Sequence, residues 1–112
     1  AAKSKIEQSI VDLKEAEILK QKAANDIALE FKNVYISLKN AIVKIDSMES
    51  DLRVYNDNMA SVKEKFKQGI TSSLDMDDAV LKHSIARFNM DSAIYDYIIA
   101  KSNLDKAMGG GI

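Results

Sequence analysis

The chain has 112 residues with no Pro, Cys or Trp and four Gly, three of which form the closing run Gly109, Gly110 and Gly111. Gly69 is therefore the one strong helix breaker in its body, which excludes turn-rich β folds and doubly wound α/β folds, while the lack of Cys excludes disulfide frameworks and thiolate metal sites. Hydrophobic residues at 46% and charged residues at 29% are those of a folded protein, and a net charge of −1 from 16 basic and 17 acidic side chains leaves no electrostatic footprint for nucleic acid or an anionic membrane.

One domain is the expectation from length. Residues 1 to 68 carry 12 basic and 11 acidic side chains and residues 69 to 112 carry 4 and 6, so neither half is a basic arm or an acidic tail. The start, Ala1-Ala2-Lys3-Ser4-Lys5, runs directly into charged sequence and has no signal-peptide pattern. Apolar runs are short, such as Ala41-Ile42-Val43, whereas a membrane-spanning helix needs about 20 apolar residues.

The first element is a helix over residues 3–67. From Ala24 the positions Ile27, Phe31, Val34, Leu38, Ala41, Ile45, Met48, Leu52, Tyr55, Met59, Val62 and Phe66 follow in alternating steps of three and four, a heptad seam for a partner helix. Carried backwards, the seam meets Leu13, Ile10 and Ile6 but also Lys20 and Glu17, so the early part leans on Ala16, Leu19 and Ala23. A weaker second stripe runs through Ala28, Leu29, Tyr35, Ile36, Ile42 and Val43. One continuous helix of this extent is about 100 Å long and cannot belong to a compact ball.

The tip turn spans 68–74. Gly69 can take the left-handed conformation that ends a helix, Lys63, Lys65 and Lys67 suit the negative dipole end, and Ser72 or Ser73 can cap the next helix. The lysines otherwise read as a solvated helix end.

The second helix, 75–108, carries two seams. Met76, Ala79, His83, Ala86, Met90, Ala93, Tyr97, Ala100, Leu104 and Ala107 form one, with Ala at every seventh residue. Leu81, Ile85, Phe88, Ser92, Tyr95, Ile99 and Ser102 form the other. A plain two-stranded hairpin needs one stripe per helix, so two stripes call for neighbours on two flanks, as in a barrel wall or a multi-helix bundle. The fold class expected is all-α: a long antiparallel helical hairpin of coiled-coil type forming part of an α-helical barrel, its longer arm packed in part against something outside this chain.

The string Phe66-Lys67-Gln68-Gly69-Ile70-Thr71-Ser72-Ser73-Leu74-Asp75-Met76-Asp77-Asp78-Ala79, followed by Leu81, Ala86, Ala93-Ile94-Tyr95-Asp96-Tyr97, Ala100, Leu104 and Ala107-Met108-Gly109, resembles the repeat of TolC-like outer membrane factors. The long preceding helix with Val34-Tyr35-Ile36-Ser37-Leu38 and the closing Gly109-Gly110-Gly111 fit the same pattern, the ending being similar to that of the second repeat. The resemblance implies one hairpin of a periplasmic tunnel, in a homotrimeric channel of the outer membrane serving tripartite drug efflux or type I secretion. Its partners would be a periplasmic adaptor protein and an inner-membrane pump. The membrane β-strands of the family are not in this sequence. Asp75 and Asp78 match positions where members place carboxylates at the pore entrance, and a ring of them would favour cations and raise the carboxyl pKa values by like-charge repulsion. The alternative for both is a complement to the helix dipole. Phe66, Gly69, Thr71 and Ser72 fall at the tip turn where members contact the adaptor. Phe66 stands where members commonly have Tyr and Thr71 where some have Arg, so a polar lock at this tip would need different chemistry. Ala79, Ala86, Ala93, Ala100 and Ala107 are the helix seam.

Other readings remain open at this level. The seams alone describe an ordinary coiled coil, such as an adaptor stalk or a scaffold module. Asp77 reads as solvated surface and Phe66 as the end of the first seam. His83, the one His, has no second ligand or nucleophile near it in sequence and reads as a packed seam position. The acids from Asp75 to Asp78 do not have calcium-loop spacing, since Val80 holds the place of the required Gly. No phosphate loop or catalytic constellation is present, so neither enzymatic activity nor a cofactor or metal is expected.

Overall fold

A computed structural model describes residues 2–109, which contain two α-helices: α1, Ala2–Lys67, and α2, Ser73–Ala107, joined by a turn over 68–72. The molecule is a rod of 100 × 24 × 15 Å. Its length is that of α1, whose 66 residues rise about 99 Å at 1.5 Å each. No strand occurs among the described residues. Gly110 and Gly111, the end of the expected exit from the second helix, lie outside the described residues.

Chain chemistry sets each helix end. At the end of α1 the Ile70 amide donates to the Lys65 carbonyl at 2.9 Å and the Gly69 amide to the Phe66 carbonyl at 3.1 Å, the paired bonds that satisfy orphan carbonyls of a last turn. This needs a left-handed residue, and Gly69 sits at φ 74°. A Cβ there would meet nothing within 4 Å, so backbone conformation alone, not crowding, calls for glycine. Gly109 repeats the device at the end of α2, with φ 76° and its amide on the Lys106 carbonyl at 3.0 Å. The second helix begins at Ser73, two residues earlier than expected, because Ser72 takes the extended cap conformation (φ −84°, ψ 164°) and leaves Ser73 as the first helical residue.

Packing singles out one of the two stripes of α2. Ala79, Ala86, Ala93 and Ala100 are the only buried residues among those described, with Ala93 at 0% exposure. Met76, His83, Met90, Tyr97 and Leu104 between and beyond them are half-buried, and on α1 so are Val34, Leu38, Ala41, Ile45, Met48, Leu52, Met59 and Val62. These are the heptad positions, and on α2 the buried alanines alternate with larger, half-buried side chains. Residues that share a groove descend along α1 as they ascend along α2: Val62 with Ala79, Leu52 with His83, Met48 with Ala86, and Ala41 with Ala100.

Coverage stops where α2 stops. Ile27 and Phe31 lie in phase with the seam but are exposed, as is Phe66 at the other end. Ala107, expected in the seam, is also exposed: it lies beyond Leu104, the last half-buried residue of α2. Every described residue before Val34 is exposed, so about half of α1 has no element of this chain against it. The accessible surface is 8881 Å². A compact monomer of 12.4 kDa would expose about 6,100 Å². The excess is the surface of a rod that is covered on one side only.

Candidate functional site: the turn and the uncovered stripe of α2

The turn is built from local hydrogen bonds. The Ser72 hydroxyl accepts from the Asp75 amide at 3.2 Å, and the Ser72 amide donates to the Asp75 carboxylate at 3.4 Å, a reciprocal capping box. Asp75 also places its negative charge in the first turn of α2, where the dipole favours it. The Thr71 hydroxyl donates to the Ser72 carbonyl at 3.3 Å, and Thr71 is half-buried while Gly69, Ile70 and Ser72 are exposed. Phe66, at the end of α1, is 44% exposed.

Asp78 lies one turn further along. Its carboxylate meets the Lys82 ammonium at 2.9 Å, an (i, i+4) pair with both side chains more than half exposed. The hydrogen bond from Lys82 to Asp78, reinforced by the opposite charge, raises the Lys82 pKa above its ordinary 10.5. Asp75 and Asp78 border one open groove with Asn58, Lys65, Thr71 and Lys82, in which the Lys82 ammonium pairs with Asp78. The Asp78–Lys82 pair is legible in sequence as a four-residue acid-to-base step. The capping box is legible too, as Ser-x-x-Asp from Ser72 to Asp75.

His83 does not stand alone on the seam. It shares a groove with Leu52, Asn56, Glu49, Arg53 and Arg87, in which the Arg53 guanidinium and the Glu49 carboxylate lie 3.7 Å from each other. Among the described residues no group of three or more His, Cys, Asp or Glu side chains is placed to hold a metal ion. No helix in them is long and apolar enough to cross a membrane.

The second stripe of α2 is left uncovered within the rod. Leu81, Ile85, Phe88, Tyr95 and Ile99 are all exposed, Phe88 at 71%. On α1 the second stripe is open as well, at Leu29, Tyr35, Ile36, Ile42 and Val43. Contiguous exposed apolar side chains of this extent mark surfaces that other chains cover. What these residues define is a two-helix rod with a capped turn and apolar flanks. No family model, curated protein or solved structure matches the chain.

Proposed function

We propose that the chain is an antiparallel helical hairpin from the wall of a trimeric, TolC-like outer membrane tunnel, with the 68–72 turn at its periplasmic entrance. The observation that carries this reading is the division of labour between the stripes of α2. Its Ala seam packs within the hairpin, while Leu81, Ile85, Phe88, Tyr95 and Ile99 remain open on another flank. A wall helix needs two neighbours, and a free-standing hairpin needs one. The opposed order of residues along the shared grooves supports the antiparallel pairing. The ordered likeness of residues 66 to 111 to the family repeat supports the tunnel assignment.

In this reading the protein is a passive conduit of the outer membrane whose helical part lies in the periplasm. The turn, with Phe66, Gly69, Thr71 and Ser72, meets a periplasmic adaptor, and an inner-membrane pump loads the lumen. Small shifts between packed helices open the entrance. Asp75 and Asp78 border that entrance, where their charge acts on passing cations.

The test is the assembly state of the longer parent protein in detergent. Trimers by light scattering are expected; a stable monomer would sink the tunnel reading and leave a helical-hairpin interaction module, either an adaptor stalk or a scaffold coiled coil. Residues encoded upstream of Ala1 give a second check, since about ten residues of alternating apolar and polar character are expected there for a membrane strand.

A further inference from the structure

The heptad seam of α1 does not end where α2 leaves it. Phe31, Ile27, Ala24, Lys20, Glu17, Leu13, Ile10 and Ile6 continue the three-and-four spacing toward the start of α1. Ile6, Ile10, Leu13, Ile27 and Phe31 are 42% to 69% exposed, and no element of the described chain lies against them. A helical arm of this length draws most of its stability from packing along an apolar face. The seam therefore needs an occupant.

We infer that the occupant is a second copy of this chain, paired antiparallel through residues 4–33. Two charged residues interrupt this stretch of the seam, and they have opposite sign and adjacent seam positions, Glu17 and Lys20. In an antiparallel pair whose two-fold axis passes between Ile18 and Leu19, Glu17 of each copy meets Lys20 of the other. Outward from this layer, Leu13 meets Ala24, Ile10 meets Ile27, and Ile6 meets Phe31. Each layer joins two successive kinds of heptad position, as antiparallel coiled coils require. Large meets small at Leu13 and Ala24, so the backbones can approach beside the charged layers. A parallel, in-register pair would instead oppose Glu17 to Glu17 and Lys20 to Lys20. Charged groups at seam positions select register and orientation in this way.

The pairing also fits the length of the uncovered arm. In this register residues 4–33 of the two copies lie opposite one another, which is the stretch of α1 that α2 does not cover. The second copy thus continues the path of α2 along one seam. The resulting rod is about 150 Å long, with a turn at each end. This pairing belongs to the free 112-residue chain. A tunnel wall, with all turns at one end, uses other neighbours, so the inference stands separately from the tunnel reading.

Sedimentation equilibrium of the chain at micromolar concentration is expected to give twice the 12.4 kDa monomer mass. Glu17→Lys, which faces two lysines against each other at both central layers, is expected to weaken the dimer at least about tenfold, and Glu17→Lys with Lys20→Glu to restore it. Helicity by circular dichroism at a common concentration separates a lost interface from a lost fold. Because the chain has no Cys, orientation can be read by mild oxidation of single-Cys variants. Leu13→Cys mixed with Ala24→Cys is expected to cross-link, while neither variant cross-links to itself. A monomer at tens of micromolar, a double variant as weak as the single one, or self-cross-linking of Leu13→Cys overturns the proposal.

Discussion

Gly69 and Ser72 hold the turn by different means, and the two respond differently to substitution. Gly69→Ala keeps every hydrogen bond but forces a Cβ into a left-handed backbone, a loss of about 1 kcal/mol, roughly the penalty for an L-residue in that region. Gly69→Asn is expected to lose less, since Asn visits this region more readily. Ser72→Ala removes the acceptor for the Asp75 amide and is expected to cost about 1 kcal/mol. Urea unfolding followed by circular dichroism measures all three. The Asp78–Lys82 pair gives a pH signature. Its raised Lys82 pKa means that the contribution to stability is fully present below 10.5, the ordinary lysine value, and is lost as pH rises through the folded-state value. The stability difference between the native chain and Asp78→Asn should stay level from neutral pH to about pH 9 and shrink above 10.5.

At the scale of elements, a contrast between the stripes of α2 separates packing within the rod from packing beyond it. Ala93 has no exposed surface, so Ala93→Leu must push the helices apart, and overpacking of this kind costs about 1–3 kcal/mol. Leu81→Ala, on the open stripe at 58% exposure, is expected to change the stability of the isolated chain by less than about 0.5 kcal/mol. The same unfolding measurement covers both.

The heptad positions of both helices were legible in sequence because burial itself generates the 3.5-residue spacing, and the half-buried residues from Val34 to Val62 fall on it. Which stripe of α2 turns inward was not. By hydrophobicity alone Leu81, Ile85 and Phe88 outrank Ala79, Ala86 and Ala93, yet the alanines pack because they let two helices come close. That the longer arm outreaches α2 was legible from the helix lengths, but the residues at which cover ends were not, since Phe31, Phe66 and Ala107 keep the periodicity and are exposed. Tyr55 keeps it too and is still 37% exposed, its ring bordering the groove that holds Lys82, Ile85 and Asn89. At the turn, the spacing itself selects Ser72 over Ser73 as the cap, since Asp75 stands three residues after Ser72 and Met76 three after Ser73. The hydrogen-bond and ion-pair partners of Asp75 and Asp78, Ser72 and Lys82, are local and were readable, whereas Asn58 of α1 reaches the same groove only through the pairing of the helices.

On the scale of the whole molecule, cover is uneven along a single helix. Residues 34 to 62 of α1 carry every half-buried position of that helix, and residues 2 to 33 carry none. In the Glu17→Lys variant, where the proposed self-pairing is removed, amide hydrogen exchange should divide α1 at about Val34, fast before it and slow after it. In the native chain at micromolar concentration the fast part should gain protection. Uniform protection along α1 in the variant would mean that the arm is covered in some other way.

The alanine stripe has a further consequence for how the two helices find their alignment. A rail with identical notches every seven residues fits its counterpart almost as well after a slip of one full notch, about 10 Å along the axis. Steric fit along the stripe is therefore a fine gauge without a zero mark. The zero is set at the turn, where five residues tied by the Gly69 and Ser72 caps leave no slack for such a slip. Lengthening that turn by a few flexible residues would leave every contact surface intact and still free the rod to occupy more than one alignment.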